Sequence, residues 1–103
     1  MKVIWSEFAE KQLDEIFDYY AKESSLSIAA KLIRQIIRVP NKLKRAPFIG
    51  QVEEFLKDRP IIYRYLVFKN YKIIYSVDEK NKLIKIADVF DTRQNPAKIK
   101  RSK

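Results

Sequence analysis

The sequence predicts an α+β domain: an N-terminal helical hairpin packed on one face of a small sheet drawn mainly from the C-terminal half. Three observations predict it. Apolar residues recur at helical spacing from Ala9 to Leu43. Three runs rich in Ile, Val, Tyr and Phe follow between Ile61 and Phe90, separated by turn signals. A chain of 103 residues with 47% apolar content suits one domain with one core.

The elements follow in order. Lys2-Val3-Ile4-Trp5 is β-branched and aromatic and reads as a short strand. Ser6 offers an N-cap, with Glu7 and Glu10 in the first turn, where the helix dipole favours negative charge. Ala9, Leu13, Ile16, Phe17 and Tyr20 line one face of a helix that runs to about Lys22. Glu23-Ser24-Ser25 breaks the pattern, and Ser25 or Ser27 caps a second helix. Ala29, Leu32, Ile33, Ile36, Ile37 and Leu43 continue the apolar stripe. Pro40 lies within it, removes a backbone donor and crowds the preceding turn, which predicts a kink. The short break folds the two helices into an antiparallel hairpin, which Pro47 and Gly50 close.

Residues 51–60 read as a loop ending in Asp58-Arg59-Pro60. Strands are predicted over 61–69, 71–77 and 83–90. The first two meet at Lys69-Asn70, where Asn tolerates positive φ, and Asp78-Glu79-Lys80-Asn81 makes the next turn. The three strands form a meander, which the N-terminal strand joins. Residues 98–103 hold four basic side chains among six and are expected to form a frayed basic tail, leaving 1–97 as the single domain.

Composition narrows the chemistry. The absence of Cys and His excludes disulfides, thiolate nucleophiles, Cys/His zinc sites and histidine acid–base catalysis. Gly50 is the one glycine, so no glycine-rich phosphate loop exists. No metal and no cofactor are expected. No apolar leader and no run of membrane-spanning length is present, which predicts a soluble, cytoplasmic protein without membrane contact.

A net charge of +9 favours nucleic acid or an acidic protein partner. The charge is uneven: residues 1–23 carry six acids against three bases, whereas 24–52 carry six bases and no acid. Lys31, Arg34, Arg38, Lys42 and Arg45 fall opposite the apolar stripe and form a candidate surface for nucleic acid or a partner. The same pattern suits a solvated helix face.

The 69–70 turn sets a register in which 68 faces 71, 66 faces 73 and 64 faces 75. Arg64, Leu66, Phe68, Tyr71, Ile73 and Tyr75 then share the core-facing side. Tyr63, Tyr65, Val67, Lys72, Ile74 and Ser76 share an open face, which Lys85 joins if Ile84 and Ile86 point inward. Tyrosines interleaved with cations suit single-stranded RNA, although half-buried tyrosines are also ordinary strand residues. Arg64 on the core side is a candidate for a structural ion pair with a buried carboxylate, Asp88 or Asp91.

Four strings in this order resemble the RelE/ParE toxin superfamily: Trp5-Ser6 with Ala9, Leu13, Ile16 and Tyr20; Tyr63-Arg64-Tyr65-Leu66-Val67; Asn70-Tyr71-Lys72-Ile73-Ile74-Tyr75; and Val89-Phe90-Asp91-Thr92-Arg93-Gln94-Asn95-Pro96. The last is similar to the D-x-R-x-x-P close of plasmid-stabilisation toxins. The resemblance implies a curved, mostly antiparallel sheet. It also implies a growth-arresting toxin of a type II toxin–antitoxin system, neutralised by a cognate antitoxin.

The superfamily implies two modes of arrest. RelE-like members cut messenger RNA on the ribosome, using cations on the central strands and after the last one. Lys72 and Arg93 stand near such positions as tentative catalytic residues gripping a phosphate, with Tyr65 for stacking or proton transfer. This chain departs from that set: Tyr63 and Tyr65 stand where paired lysines are usual, and Ile99 stands near a C-terminal tyrosine position. ParE-like members poison DNA gyrase by binding, and the basic helix stripe would then meet gyrase, DNA or the antitoxin. A non-toxic basic RNA- or DNA-binding module is the remaining alternative.

Overall fold

The structure, a computed structural model, describes residues 1–101. Strand β1 (Lys2–Trp5) leads into helix α1 (Glu7–Glu23). The Ser6 hydroxyl accepts the Ala9 N–H at 3.0 Å and so caps the first turn. Helix α2 (Leu26–Arg38) starts the same way, its cap being Ser25, which accepts the Ile28 N–H at 3.1 Å. Pro40 has a larger effect than a kink. The α-helix ends at Arg38, and Val39–Lys44 continues as a 3-10 segment with the proline at its start.

Strands β2 (Gln51–Val52), β3 (Arg64–Phe68), β4 (Tyr71–Asp78) and β5 (Leu83–Asp91) complete a five-stranded sheet in the order β1-β5-β4-β3-β2. β1 runs parallel to β5, and every other pairing is antiparallel. The expected 64↔75, 66↔73 and 68↔71 register is observed. In the β3–β4 turn the left-handed residue is Lys69 (φ 53°), not Asn70. Asn70 instead donates its side-chain amide to Asp91 at 3.2 Å, and its carbonyl accepts the Thr92 N–H. β2 was absent from the expected strands, because two residues are too few to show a period.

The main core lies between the helices and the sheet. Ala9, Leu13, Leu32 and Ile36 meet Tyr71, Ile73, Tyr75, Ile84, Ile86 and Val89. Ile37, expected in the apolar stripe, is 44% exposed. A register shift beside Ile74 and Tyr75 leaves Ala87 unpaired between Ile86 and Asp88. That one-residue bulge keeps Ile84, Ile86 and Val89 on the helix side while turning Asp88 and Phe90 to the other.

The second face of the sheet is not open. Two 3-10 segments, Glu54–Leu56 and Pro96–Arg101, cover it, and Leu56 and Ile99 pack with Ile74 and Phe90. Residues 98–101 are therefore docked, contrary to the expected frayed tail, because Ile99 has an apolar surface to bury (0% exposed). Residues 102–103 of that tail lie outside the described residues.

Loop 47–50 is fastened from below. The Tyr75 hydroxyl donates to the Pro47 carbonyl at 2.8 Å and accepts the Gly50 N–H at 3.0 Å. A Cβ at Gly50 would stand 2.7 Å from the Tyr75 ring and 2.8 Å from the Tyr65 carbonyl, so only glycine fits.

Candidate functional site

Lys72 and Tyr65 are brought together. β4 turns the Lys72 side chain to the second face, where its ammonium lies 4.2 Å from the centre of the Tyr65 ring. The same ammonium donates to Glu53 Oε1 at 2.8 Å. Glu53 is 2% exposed, and its other oxygen accepts the Phe55 N–H at 3.1 Å. The Tyr65 hydroxyl donates to Gln51 Oε1 at 2.9 Å. Lys72 thus joins the segment around Glu53 to the sheet, and its charge is matched by a buried carboxylate. Glu53 was not singled out in the sequence, since it lies 19 residues away in what read as a loop.

Arg93 stands apart from this pair. It follows β5 on the helix side of the sheet and forms a two-pronged bridge to Asp91, at 3.0 and 2.7 Å. Hydrogen bonds from Arg93 hold the Asp91 carboxyl down at about 2, and Asp91 in turn raises Arg93 above its ordinary value. Arg93 and Asp91 border a groove of about 400 Å³ between α1 and the end of β5, with Tyr19, Tyr20 and Tyr71 along it. Burial, reinforced by the Tyr20 hydroxyl, pushes Tyr71 up to about 12.

Two other expectations change. Arg64 forms no pair with Asp88 or Asp91. It donates to the carbonyls of Phe48 (3.3 Å) and Gly50 (3.0 Å), and its guanidinium lies 5.3 Å from the Phe48 ring. Asp88 is on the opposite face and Asp91 is engaged by Arg93, so loop carbonyls are the acceptors within reach. Lys85 shares the second face with Lys72 but is held at the sheet end by Asp78, 3.2 Å away. The expected tyrosine–cation platform is therefore capped and neutralised.

A group not foreseen in the sequence is Arg101. It reaches back to Asp88 with both terminal nitrogens, at 3.0 and 3.1 Å. Its guanidinium lies 5.2 Å from the Phe8 ring and 5.1 Å from the Phe90 ring. Asp88 is 1% exposed, and burial outweighs the guanidinium, raising its carboxyl to about 6.

The helix stripe is the remaining cationic surface. Lys31, Arg34, Arg38, Lys42 and Arg45 are all exposed. Among the described residues none of them forms an ion pair, whereas Lys72, Lys85, Arg93, Lys100 and Arg101 all do. Among the described residues no three carboxylates converge in a way that could hold a metal. Among the described residues no helix is long and apolar enough to cross a membrane.

This arrangement can be set beside known proteins. The family model for the ParE toxin of the type II toxin–antitoxin system parDE matches residues 3–96. The chain belongs to the ParE toxin family. A solved chain described as the chromosomal ParDE TA system from P. aeruginosa superposes with a TM-score of 0.72. It is 22% identical, and the match covers 88% of this chain and 95% of that one. At that identity the likeness concerns the fold, which is thereby of the RelE/ParE kind. No curated protein matches significantly. Membership in a ParE family makes the chain the toxin half of a toxin–antitoxin pair and implies a cognate antitoxin.

Proposed function

We propose that this ParE-family toxin arrests growth by binding and poisoning DNA gyrase, without cutting messenger RNA. One observation carries the choice: the cations that a ribonuclease site would need are dispersed and engaged. Lys72 is bonded to buried Glu53 on one face of the sheet, while Arg93 is tied to Asp91 on the other. Cleavage by a ribose hydroxyl requires a base and phosphate-stabilising cations converging within hydrogen-bond reach of one phosphate. Two groups on opposite faces of a sheet cannot meet that requirement. A poison needs only a surface complementary to some part of the gyrase–DNA complex, and the exposed basic stripe of α2 and its 3-10 extension is complementary to its polyanionic part.

The test uses purified gyrase and plasmid DNA. Adding the toxin is expected to block supercoiling or accumulate cleaved plasmid, and prior mixing with its antitoxin should abolish the effect. Normal supercoiling at a toxin concentration that still arrests cells would remove gyrase as the target.

A further inference from the structure

We infer that the face carrying Lys31, Arg34, Arg38, Lys42 and Arg45 lies directly along the phosphate backbone of double-helical DNA. The inference goes beyond the gyrase reading and rests on it for one step only, the choice of DNA among possible double helices.

The charge argument is local. Between Ser24 and Val52 there is no acid, and among the described residues the five cations have no carboxylate partner. The acids of the hairpin belong to α1, and the two helices pack without an ion pair between them among the described residues. The stripe therefore presents a field of one sign, which strong polyanions match best.

Spacing supports a phosphate row. On an α-helix Lys31, Arg34 and Arg38 share one face, and Lys31 to Arg38 spans about 10 Å of axis. One strand of a duplex passes about three phosphates over that length of duplex axis. Beyond Arg38 the 3-10 segment changes the period to about three, so Lys42 and Arg45 stand one above the other, roughly 6 Å apart. Five cations thus follow a straight run and then a change of direction, on a rigid element whose opposite side is buried through Leu32, Ile36 and Leu43.

The remaining side chains on this face decide against other partners. Ser27 and Asn41, which accompany the cations, are exposed hydrogen-bonding groups. A protein interface needs aromatic or aliphatic anchors at its centre, whereas the exposed apolar residues of α2 nearest the row, Ile28 and Ile37, fall at the helical spacing of its two edges. Single-stranded RNA is held by base stacking on aromatic rings, and no aromatic residue occurs between Tyr20 and Phe48. A double helix offers its phosphates outward with the bases hidden, which suits a row of cations and polar donors.

The experiment measures fluorescence anisotropy of a labelled DNA duplex, about two turns long, with purified toxin and no gyrase, across a salt series. The log of affinity should fall against the log of salt with a slope of about −3 to −5, as expected for four or five phosphate contacts. Arg34→Glu/Arg38→Glu should weaken binding at least tenfold at low salt and flatten the slope by about two. Arg34→Gln/Arg38→Gln should act in the same direction, and covers the case in which charge reversal impairs folding. Lys57→Glu/Lys80→Glu has the same net charge as the first variant but lies off the stripe, and should bind as the unchanged toxin does. Absence of duplex binding, an equal loss in the Lys57/Lys80 variant, or tighter binding to single-stranded RNA of equal length would overturn the inference. If duplex binding fails while gyrase is still poisoned, the inference falls alone. If duplex binding holds while gyrase is unaffected, the gyrase reading falls and the DNA surface stands.

Discussion

Lys72→Ala is expected to destabilise the fold by about 3 kcal/mol, because it leaves the buried Glu53 carboxylate without its cation. Among the described residues the carboxylate would retain the Phe55 N–H as its one side-chain hydrogen-bond partner. Removing both charges while keeping shape, as in Glu53→Gln/Lys72→Met, avoids that penalty, since buried pairs replaced together are often close to neutral. Urea denaturation should place the single variant well below the unchanged protein and the double variant near it. Toxicity should follow stability: weak for Lys72→Ala at growth temperature and retained by the double variant. A double variant that folds normally but no longer arrests growth would mean that Lys72 acts chemically, and the binding-poison reading would fail with it.

The second large effect concerns Arg101. Arg101→Ala should lower stability by about 3 kcal/mol near pH 8 and by much less near pH 5, because it strips the guanidinium from buried Asp88. The direction follows from Asp88, whose folded-state pKa is raised from 3.8 to about 6. A raised carboxyl favours the folded state while protonated. Its contribution is complete below about pH 4 and is lost as pH rises through about 6. Without Arg101 the ionised form becomes costlier still, so the deficit of the variant grows with pH. Below about pH 5 Asp88 is largely neutral in both proteins, and what is missing is the ring contacts to Phe8 and Phe90 and the exposed hydrogen bonds to the Lys98 carbonyl and Gln12. Asp88→Asn should remove the pH dependence across this window. Melting temperatures measured from pH 4 to 8 decide the matter; an Arg101→Ala deficit equal at every pH would refute the account of Asp88.

The parts of this molecule that could be read from its sequence are those with a period. The seventeen residues of α1 and thirteen of α2 repeat their apolar positions over several turns and begin at serine caps, so both helices and their buried faces were legible. A two-residue turn set the β3–β4 register, because pairing then follows by alternation. The segments that cover the second face are too short to carry a period. Glu54–Leu56 makes one 3-10 turn, and Pro96–Arg101 surrounds its one buried apolar residue, Ile99, with lysines and an arginine. Missing these segments left the second face looking open and placed Lys72 beside solvent instead of Glu53. Arg64 misled for a different reason: a core-side cation was assigned a carboxylate, although two loop carbonyls satisfy it. The exposure of the basic stripe was legible because exposure on a regular helix needs no tertiary partner to be inferred.

Of the measurements available, sequencing RNA 5′ ends after inducing the toxin in cells without antitoxin tests the central claim most directly. The account predicts growth arrest with messages no more cut than in uninduced cells. New ends confined to translated messages and phased with codons would contradict it, and would establish a ribosome-dependent ribonuclease.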